Sequence, residues 1–247
     1  MKYFSFVLLW FCFLRPGTGL EAQVRPALGD YEELFDGVSL KGWKGDPALW
    51  YVKDSLLVGE IRPGKELKRN SFIIWQGGNL KDFELIVEYK VSAKGNSGFN
   101  YRSKEVAGQP FAMRGYQADI DGAKKYTGQN YEEGGRKILA FPGQKVRLPP
   151  VKGTIADFAR ENRWTASERL DALGNEDSLK SRINDDWNEL RIWAKGNRLQ
   201  HYINGVLMSD VTDDDVQNRE MEGLLGFQVH VGPPMTIAVR HIRLKRL

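Results

Sequence analysis

Three segments of the sequence carry polar side chains in the alternating pattern of a strand with one apolar face. They are SGFNYR (97–102), GYQADID (115–121) and FQVHV (227–231). Their polar faces carry Asn100, Arg102, Gln117, Asp119, Asp121, Gln228 and His230. An ordinary solvated face is rich in Lys, Glu, Thr and Ser, whereas amides, carboxylates and an imidazole suit sugar hydroxyls or a metal ion. Neighbouring strands of this kind would form one polar floor.

The chain has three histidines. His230 lies on the polar face beside Gln228, so we expect it to be a general base or a metal ligand, roles that its ordinary pKa allows near neutral pH. His201 is expected to be structural, and His241, among basic residues, to be solvated.

The two acids of GYQADID have different surroundings in the sequence. Asp119 lies in the middle of the strand beside Gln117, and we select it as the functional acid, whereas Asp121 precedes Gly122 and is expected to end the strand. The two lie about 7 Å apart along one face, so a two-carboxylate glycosidase site is open but not indicated. For any one of these polar residues, simple solvation is the alternative.

The composition and the absence of several motifs argue against some classes of binding protein and enzyme. The net charge of +4 is mild and the charges are interleaved, so nothing indicates nucleic-acid binding. The sequence contains no GxSxG, HExxH, GxxxxGK[ST] or GxGxxG, so serine hydrolases, zincins and nucleotide-binding folds lack support.

The first residues predict an export signal. Lys2 is followed by an apolar run from Tyr3 to Leu14, too short to span a bilayer but long enough for a signal peptide, predicted here over residues 1–22. Cys12, the only cysteine, lies inside it, so the mature chain would have no disulfide, thiolate metal site or cysteine nucleophile. We expect a bacterial periplasmic or secreted protein, with membrane contact only during export.

Short alternating runs separated by turn residues predict an all-β sandwich of antiparallel sheets. The predicted strands are 49–52, 55–58, 71–75, 83–91, 97–102, 115–121, 187–195, 198–204, 206–211, 223–231 and 235–245. Asn204-Gly205 is the strongest hairpin signal. The Gly-rich segment 127–136 is predicted to be a loop, and residues 154–182 a helical insertion. One domain, residues 31–247, is the simplest organisation.

Six segments in series resemble the 3-keto-disaccharide hydrolase domain family. They are FDGVSLKGW (35–43), GNSGFNYR (95–102), GYQADID (115–121), the loop 131–136, DWNELRIWAKGNRLQHYING (186–205) and residues 223–247. The resemblance implies a concanavalin-like or laminarinase-like β-sandwich (a jelly roll). It also implies an exported enzyme that cleaves 3-keto-glycosides, as a lyase or by net hydrolysis through a 2-hydroxyglycal. Two departures from the family pattern stand out. Arg240-His241-Ile242 replaces the Arg-Asn-Ile that the family often has, and the loop 131–136 reads YEEGGR where YDE-type sequences are more usual.

The resemblance also implies a sugar-facing pocket and roles for its residues. It places there Asn96, Arg102, Gln117, Asp119, Tyr131, Glu133, Arg136, Gln228 and His230. The hypothesis is that His230 removes the C2 proton or binds a metal, and that Asp119 and Glu133 act as an acid/base pair or as metal ligands. Arg102 and Gln117 would hold the enolate and neighbouring hydroxyls.

Several choices stay open at this point. The oxygen-rich set with one histidine would suit Ca²⁺, Mn²⁺ or Mg²⁺ better than zinc, and no organic cofactor is expected. The partner is expected to be a small-molecule or oligosaccharide substrate. A non-catalytic carbohydrate-binding module on the same sandwich is the main alternative to an enzyme, and a cell-surface structural domain is a third reading.

Overall fold

The computed structural model describes residues 28–247, so the predicted signal peptide lies outside the described residues. Nineteen strands, two α-helices and one 3-10 helix (Leu28–Asp30) form this part of the chain. The strands are β1 (Glu32–Glu33), β2 (Trp43–Lys44), β3 (Trp50–Lys53), β4 (Leu56–Ile61), β5 (Ser71–Trp75), β6 (Phe83–Val91), β7 (Asn96–Glu105), β8 (Met113–Asp121), β9 (Asn130–Glu133), β10 (Lys137–Ala140), β11 (Gln144–Leu148), β12 (Ala159–Arg160), β13 (Arg163–Trp164), β14 (Glu168–Ala172), β15 (Asn188–Lys195), β16 (Arg198–Ile203), β17 (Val206–Asp213), β18 (Leu224–Val229) and β19 (Met235–Arg246). The helices are α1 (Ile155–Phe158) and α2 (Glu176–Lys180), and neither has the length and apolar character needed to cross a bilayer.

The strands form two sheets, which confirms the predicted all-β sandwich. The first, called the back sheet, has the order β14-β11-β17-β16-β15-β6-β19-β4-β3, with β1 also pairing with β19. The second, called the site sheet, has the order β12-β13-β10-β9-β8-β7-β18-β5-β2. Nearly all the pairings are antiparallel, and the strands alternate between buried and less buried residues, as on β15.

The inner faces of the two sheets enclose one large apolar core. Phe99 on β7, Tyr116 and Ala118 on β8 and Phe227 on β18 point into it from the site sheet. The rings of Phe99 and Phe227 pack at a tilt, with their centroids 4.6 Å apart. Because side chains alternate along a strand, Gln117, Asp119 and Gln228 face outward on the opposite side.

Both ends of each predicted strand lie within three residues of the ends of an observed strand. Two segments differ from expectation. Segment 127–136 is not only a loop, because it contains the short strand β9. Gly128 and Gly134, which both have positive φ, flank this strand. The insertion 154–182 contains helical turns at its ends only. Its middle forms β12, β13 and β14. β14 is an edge strand with every residue exposed, so no apolar period marks it.

The departure at Arg240-His241-Ile242 falls at a bulge in β19. The register of the pairing between β19 and β6 shifts between Arg240 and Arg243. His241, which lies in this bulge, adopts φ +49° and is exposed. Asn and His tolerate this left-handed region better than most residues, which explains why either type serves at this position.

A buried ion network joins the two sheets. Arg136 is fully buried, and its Nε lies 2.6 Å from Glu132 Oε2 on β9 while its Nη2 lies 2.6 Å from Asp213 Oδ2 on β17. Asp215 is a third buried carboxylate, 3.7 Å away. Tyr116 donates to Asp213 at 2.5 Å. One guanidinium therefore neutralises carboxylates contributed by both sheets.

His201 is a second polar link inside the sandwich. Its Nδ1 donates to the Gln129 carbonyl at 3.1 Å, and its Nε2 accepts from the Tyr101 hydroxyl at 2.8 Å. Burial lowers the pKa of His201 to about 4, so the ring is neutral at physiological pH. It ties β16 of the back sheet to the site sheet.

The ion network makes a prediction about stability. Replacing Arg136 with Met leaves buried carboxylates unpaired, so Arg136→Met should lower the free energy of unfolding by roughly 3–5 kcal/mol in urea denaturation. Arg136→Lys keeps the charge but loses the forked guanidinium, so its loss of unfolding free energy should lie between zero and that of Arg136→Met. Arg62→Met is the matched control, because Arg62 pairs with Glu60 on the surface, and it should cost less than about 1 kcal/mol. Equal losses for Arg136→Met and Arg62→Met would contradict this role.

Candidate functional site

The polar faces predicted from the sequence are adjacent in the site sheet. β8, β7 and β18 are consecutive neighbours, with Gln117 opposite Asn100 and Asp119 opposite Gly98. A Cβ at Gly98 would lie 2.4 Å from the Gln117 Cδ, so the missing side chain is the space that the Gln117 amide occupies. Gly98 thus lets polar side chains of β8 pack across β7.

A cleft of about 240 Å³ opens on this outer face. Its lining residues are Asn96, Gln117, Asp119, Tyr126, Gln129, Tyr131, Asn162 and His230. The predicted residues Asn96, Gln117, Asp119, Tyr131 and His230 therefore meet in one place. Its size corresponds to a single small ligand unit, and its walls combine two aromatic rings with groups that can donate and accept.

Asp119 is buried at the bottom of the cleft and held by two amides. Gln117 Nε2 donates to its Oδ1 at 2.5 Å, and Gln129 Nε2 donates to its Oδ2. Burial raises the pKa of Asp119 to about 7; the two amide hydrogen bonds oppose this rise, and the charge of Glu133 adds to it. At neutral pH this carboxyl group therefore exists in both protonation states.

Asp121 has a different function from its neighbour. Its carboxylate accepts from the backbone N–H groups of Lys125, Tyr126 and Thr127 at 2.8–3.0 Å. It therefore ends β8 and shapes the loop that carries Tyr126 and Gln129. A catalytic pair of Asp119 with Asp121 does not form.

Glu133, on β9, lies beside the cleft. Asn70 Nδ2 donates to both of its oxygens at 3.3 and 3.4 Å, and Gln228 Nε2 donates to Oε2 at 3.3 Å. Burial raises the pKa of Glu133, while the Asn70 hydrogen bond and the nearby charge of His230 oppose the rise. Gln228 is fully buried and also donates to Gln117 Oε1 at 3.1 Å. A chain of amides therefore connects Glu133 to Asp119.

His230 directly follows β18, and its tautomer is fixed. Its Nδ1 lies 2.6 Å from the Val231 carbonyl, which only accepts, so Nδ1 carries the proton. The neutral ring then presents an unprotonated Nε2, the form that a general base needs. Asn70 accepts from the Val231 N–H at 2.9 Å and so holds this segment as well as Glu133.

Arg102 does not reach the cleft, which corrects the expectation that it binds the enolate. A register shift between Tyr101 and Lys104 breaks the alternation of β7, and Arg102 adopts φ +44° at that point. Its guanidinium is buried and donates to the carbonyls of Lys81 and Gly196 at 2.8 and 2.7 Å. Arg102 therefore ties β7 to turns of the back sheet.

Arg136 is likewise not a substrate-binding residue. The family resemblance placed it at the pocket, but the structure buries it between the sheets, in the network with Glu132 and Asp213. The site therefore has no arginine from the predicted set.

Four residues near the cleft carried no signal in the sequence. Gln129 and Tyr126 belong to the loop between β8 and β9, and Asn162 belongs to a turn of the insertion. Asn70 precedes β5 and contacts Glu133 and Val231. Loop and turn residues have no period that shows which way they face, so naming the segments 127–136 and 154–182 did not select Gln129 or Asn162.

The predicted metal ligands do not fit a metal centre. Within residues 28–247, no three His, Cys, Asp or Glu side chains are grouped as a metal ion would require. The oxygens of Asp119 face the N–H groups of Gln117 and Gln129, which are donors and would repel a cation. We therefore derive no chemical step through a metal.

A larger cleft, about 510 Å³, lies elsewhere on the described chain, beside the loop 105–111. Its charged residues, Lys44 and Glu105, pair with each other at 2.7 Å and are both well exposed. It has volume without a group prepared for chemistry, so the smaller cleft with Asp119 and His230 is the better candidate site.

Comparisons with known proteins relate the chain to a family named for sugar chemistry. The model of the 3-keto-alpha-glucoside-1,2-lyase-like domain matches residues 30–245. A 3-keto-disaccharide hydrolase of Bacteroides thetaiotaomicron is 34% identical over 87 residues, which cover 31% of this chain and 28% of that protein.

Solved structures share the fold at low identity. A crystal structure described as a putative glycosyl hydrolase from Parabacteroides distasonis aligns with TM-score 0.53 and 16% identity, over 88% of this chain and 99% of that one. The β-glucanase of Bacillus licheniformis aligns with TM-score 0.51 and 10% identity, over 90% and 100%. These likenesses confirm the jelly-roll sandwich and show the fold alone.

The raised pKa of Asp119 predicts how stability depends on pH. The folded protein holds this proton more tightly than the unfolded chain, whose value is 3.8, so ionisation of Asp119 costs stability as the pH rises from about 4 to about 7. Asp119→Asn removes that cost, and its Tm relative to wild type should rise by several degrees between pH 4 and pH 8 in calorimetry. Asp171→Asn, on exposed β14, should show a constant difference. A constant difference for Asp119→Asn too would contradict a buried titrating carboxyl.

Proposed function

Because the chain belongs to the 3-keto-alpha-glucoside-1,2-lyase-like domain family, we propose that it is an enzyme that cleaves glycosides of 3-keto sugars. The observation that carries the proposal is the meeting of an imidazole and a buried carboxyl, His230 and Asp119, in one cleft of sugar-unit size. The name of the Bacteroides relative, a 3-keto-disaccharide hydrolase, supports the same substrate class.

The chemistry begins with removal of a proton. A ketone at C3 of a sugar acidifies the hydrogen on C2. In the proposed first step His230 Nε2 takes that proton, the C2–H bond breaks, and its electrons form an enediolate that extends to the C3 oxygen. Glu133 lies close enough to interact with the charge of His230, so an ionised Glu133 places a negative charge near the ring that takes up the proton.

The second step expels the group on C1. The enediolate electrons form the C1–C2 double bond and restore the C3 ketone, while the C1–O bond breaks. Asp119, with a pKa of about 7, is protonated in part of the molecules and gives its proton to the leaving oxygen. The product is a 2-hydroxyglycal. Addition of water across C1–C2 completes a net hydrolysis, and release before that addition makes the enzyme a lyase.

The remaining residues of the cleft position the substrate. Tyr131 and Tyr126 present hydroxyls and ring faces, and burial together with Glu133 raises the pKa of Tyr131, so its hydroxyl stays a donor at neutral pH. Such donors suit the developing charge on the C3 oxygen. Asn96 and Asn162 add amides that can bind outer hydroxyls. We also propose export, on the ground of the N-terminal sequence.

A carbohydrate-binding module is the competing function. It would use the same cleft without a base and would bind a 3-keto-glucoside without turnover. Product analysis after calorimetric titration of wild type separates the two: binding with no product after long incubation favours the module, and cleavage favours the enzyme.

The base assignment leads to a direct test. His230→Ala should lower kcat on a 3-keto-glucoside by about 10²–10⁴-fold, the size of general acid–base catalysis, and Glu133→Gln by a smaller factor. His241→Asn is the control: it lies on the back sheet at an exposed bulge, and its kcat should match wild type within twofold. Wild-type turnover by a folded His230→Ala protein would remove His230 from the mechanism.

A further inference from the structure

A short hairpin of the insertion contributes to the rim of the cleft. Strands β12 and β13 pair antiparallel and leave only Glu161 and Asn162 in the turn between them. Both turn residues have positive φ, +51° and +60°, as a two-residue type I′ turn requires. Of the cleft residues in the described part of the chain, Asn162 alone is exposed. The tip of the hairpin therefore offers an amide that a ligand can reach.

The hairpin is held in place by the residues beneath it. Trp164 on β13 is buried and packs against Phe158 with ring centroids 5.3 Å apart. The guanidinium carbon of Arg136 lies 5.9 Å from the centre of the Trp164 ring. On β10, the N–H of Ile138 donates to the Asn162 carbonyl at 3.2 Å. Asn162 thus combines a fixed backbone with an exposed side chain, and such a residue can position a ligand.

The order of strands in the site sheet gives the cleft a direction. His230 directly follows β18, and β7 separates that strand from β8, which carries Asp119. Beyond β8 the order continues with β9, β10 and β13, which begins just after Asn162. Because neighbouring strands lie about 4.8 Å apart, His230 and the hairpin tip are on opposite sides of Asp119 across the sheet.

The bonds of the substrate follow the same direction. In the proposed mechanism His230 takes the proton on C2, and Asp119 gives its proton to the oxygen on C1. The substrate therefore runs from β18 toward β8 in the order C2, C1, oxygen, and the group on that oxygen continues past Asp119 to the side of the hairpin. Because a cleft of about 240 Å³ holds one sugar unit, a second unit would meet the rim, where Asn162 is exposed.

We propose that the tip of the β12–β13 hairpin forms the subsite for the leaving group, and that Asn162 is a specificity-determining residue that binds a hydroxyl of a leaving sugar unit. This proposal rests on the proposed function. A primary amide both donates and accepts hydrogen bonds, and so does a hydroxyl, so the two can pair in either sense. An alkyl leaving group offers no such partner. The insertion would therefore favour a second sugar over a simple alcohol as the group that departs.

The test compares two substrates that differ only in the leaving group. They are 3-ketomaltose, oxidised in its non-reducing ring, and methyl 3-keto-α-glucoside. Asn162→Gly removes the amide and suits the positive φ of the turn, so the backbone is kept. The ratio of kcat/KM for 3-ketomaltose to that for the methyl ketoside should fall by about tenfold, the size of one hydrogen bond. A ratio equal to that of wild type overturns the proposal, whether both rates fall together or neither does.

Glu161→Gly is the matched control. Glu161 occupies the same turn with φ +51°, its side chain is 82% exposed, and it is not one of the residues that line the cleft in the described part of the chain. This variant also places glycine at a positive φ, so it reports any loosening of the turn by itself. It should keep the wild-type ratio. An equal fall of the ratio in Glu161→Gly and Asn162→Gly would attribute the effect to the turn and remove the Asn162 amide from the subsite.

Failure of the proposed function gives a different result. If wild type cleaves neither ketoside, the function is wrong, and the same comparison is then made with calorimetric dissociation constants for maltose and methyl α-glucoside. A tenfold loss of affinity for maltose relative to methyl glucoside in Asn162→Gly would still support a second-unit subsite at the hairpin. An unchanged ratio, or no binding of either sugar to wild type, would overturn the subsite as well as the function.

Discussion

The burial of a carboxylate on the outer face of a sheet determines much of the rest of the site. Asp119 is removed from water, and such a group must receive donors or take up a proton. Gln117 and Gln129 supply the donors, and the raised pKa shows that they compensate only in part. The orientation of both amides follows from that need, as does the carbonyl that Gln129 turns away from Asp119. One buried charge therefore sets the acid and the polarity of the cleft.

A second set of buried charges supports the first from inside the sandwich. Glu132 and Glu133 are consecutive on β9, so they point to opposite faces: Glu132 inward to Arg136, and Glu133 outward to Asn70 and Gln228. On β8, Tyr116 likewise bonds inward to Asp213 while Gln117 faces the cleft. The ion network that joins the sheets and the polar cluster of the cleft thus share two strands, and a disturbance of one changes the backbone that carries the other.

Regular alternation made the core of this arrangement predictable from sequence. The strands that carry Gln117, Asp119 and Gln228 keep a strict period of two, so their outward faces could be read directly, and the family resemblance supplied Tyr131 and Glu133. Arg102 could not be placed, because a bulge in β7 reverses its side chain, and a bulge leaves no mark in the apolar pattern. Arg136 was misplaced because its glycine-rich surroundings are typical of a surface loop, whereas its partners come from a distant strand. Gln129 was missed for a third reason: it lies on a loop without a period, and its hydrogen bond to Asp119 joins residues that are neighbours in space but ten positions apart in the sequence.

The central claim is that this cleft removes the C2 proton of a 3-keto sugar before the glycosidic bond breaks. The most direct test is a proton NMR experiment in D₂O, with wild-type protein and a methyl 3-keto-glucoside. The account predicts that the C2 signal of the substrate is lost as methanol is released, and that any hydrated sugar product carries deuterium at C2. A released sugar that keeps its original hydrogen at C2 would mean direct displacement at C1, and would contradict the account.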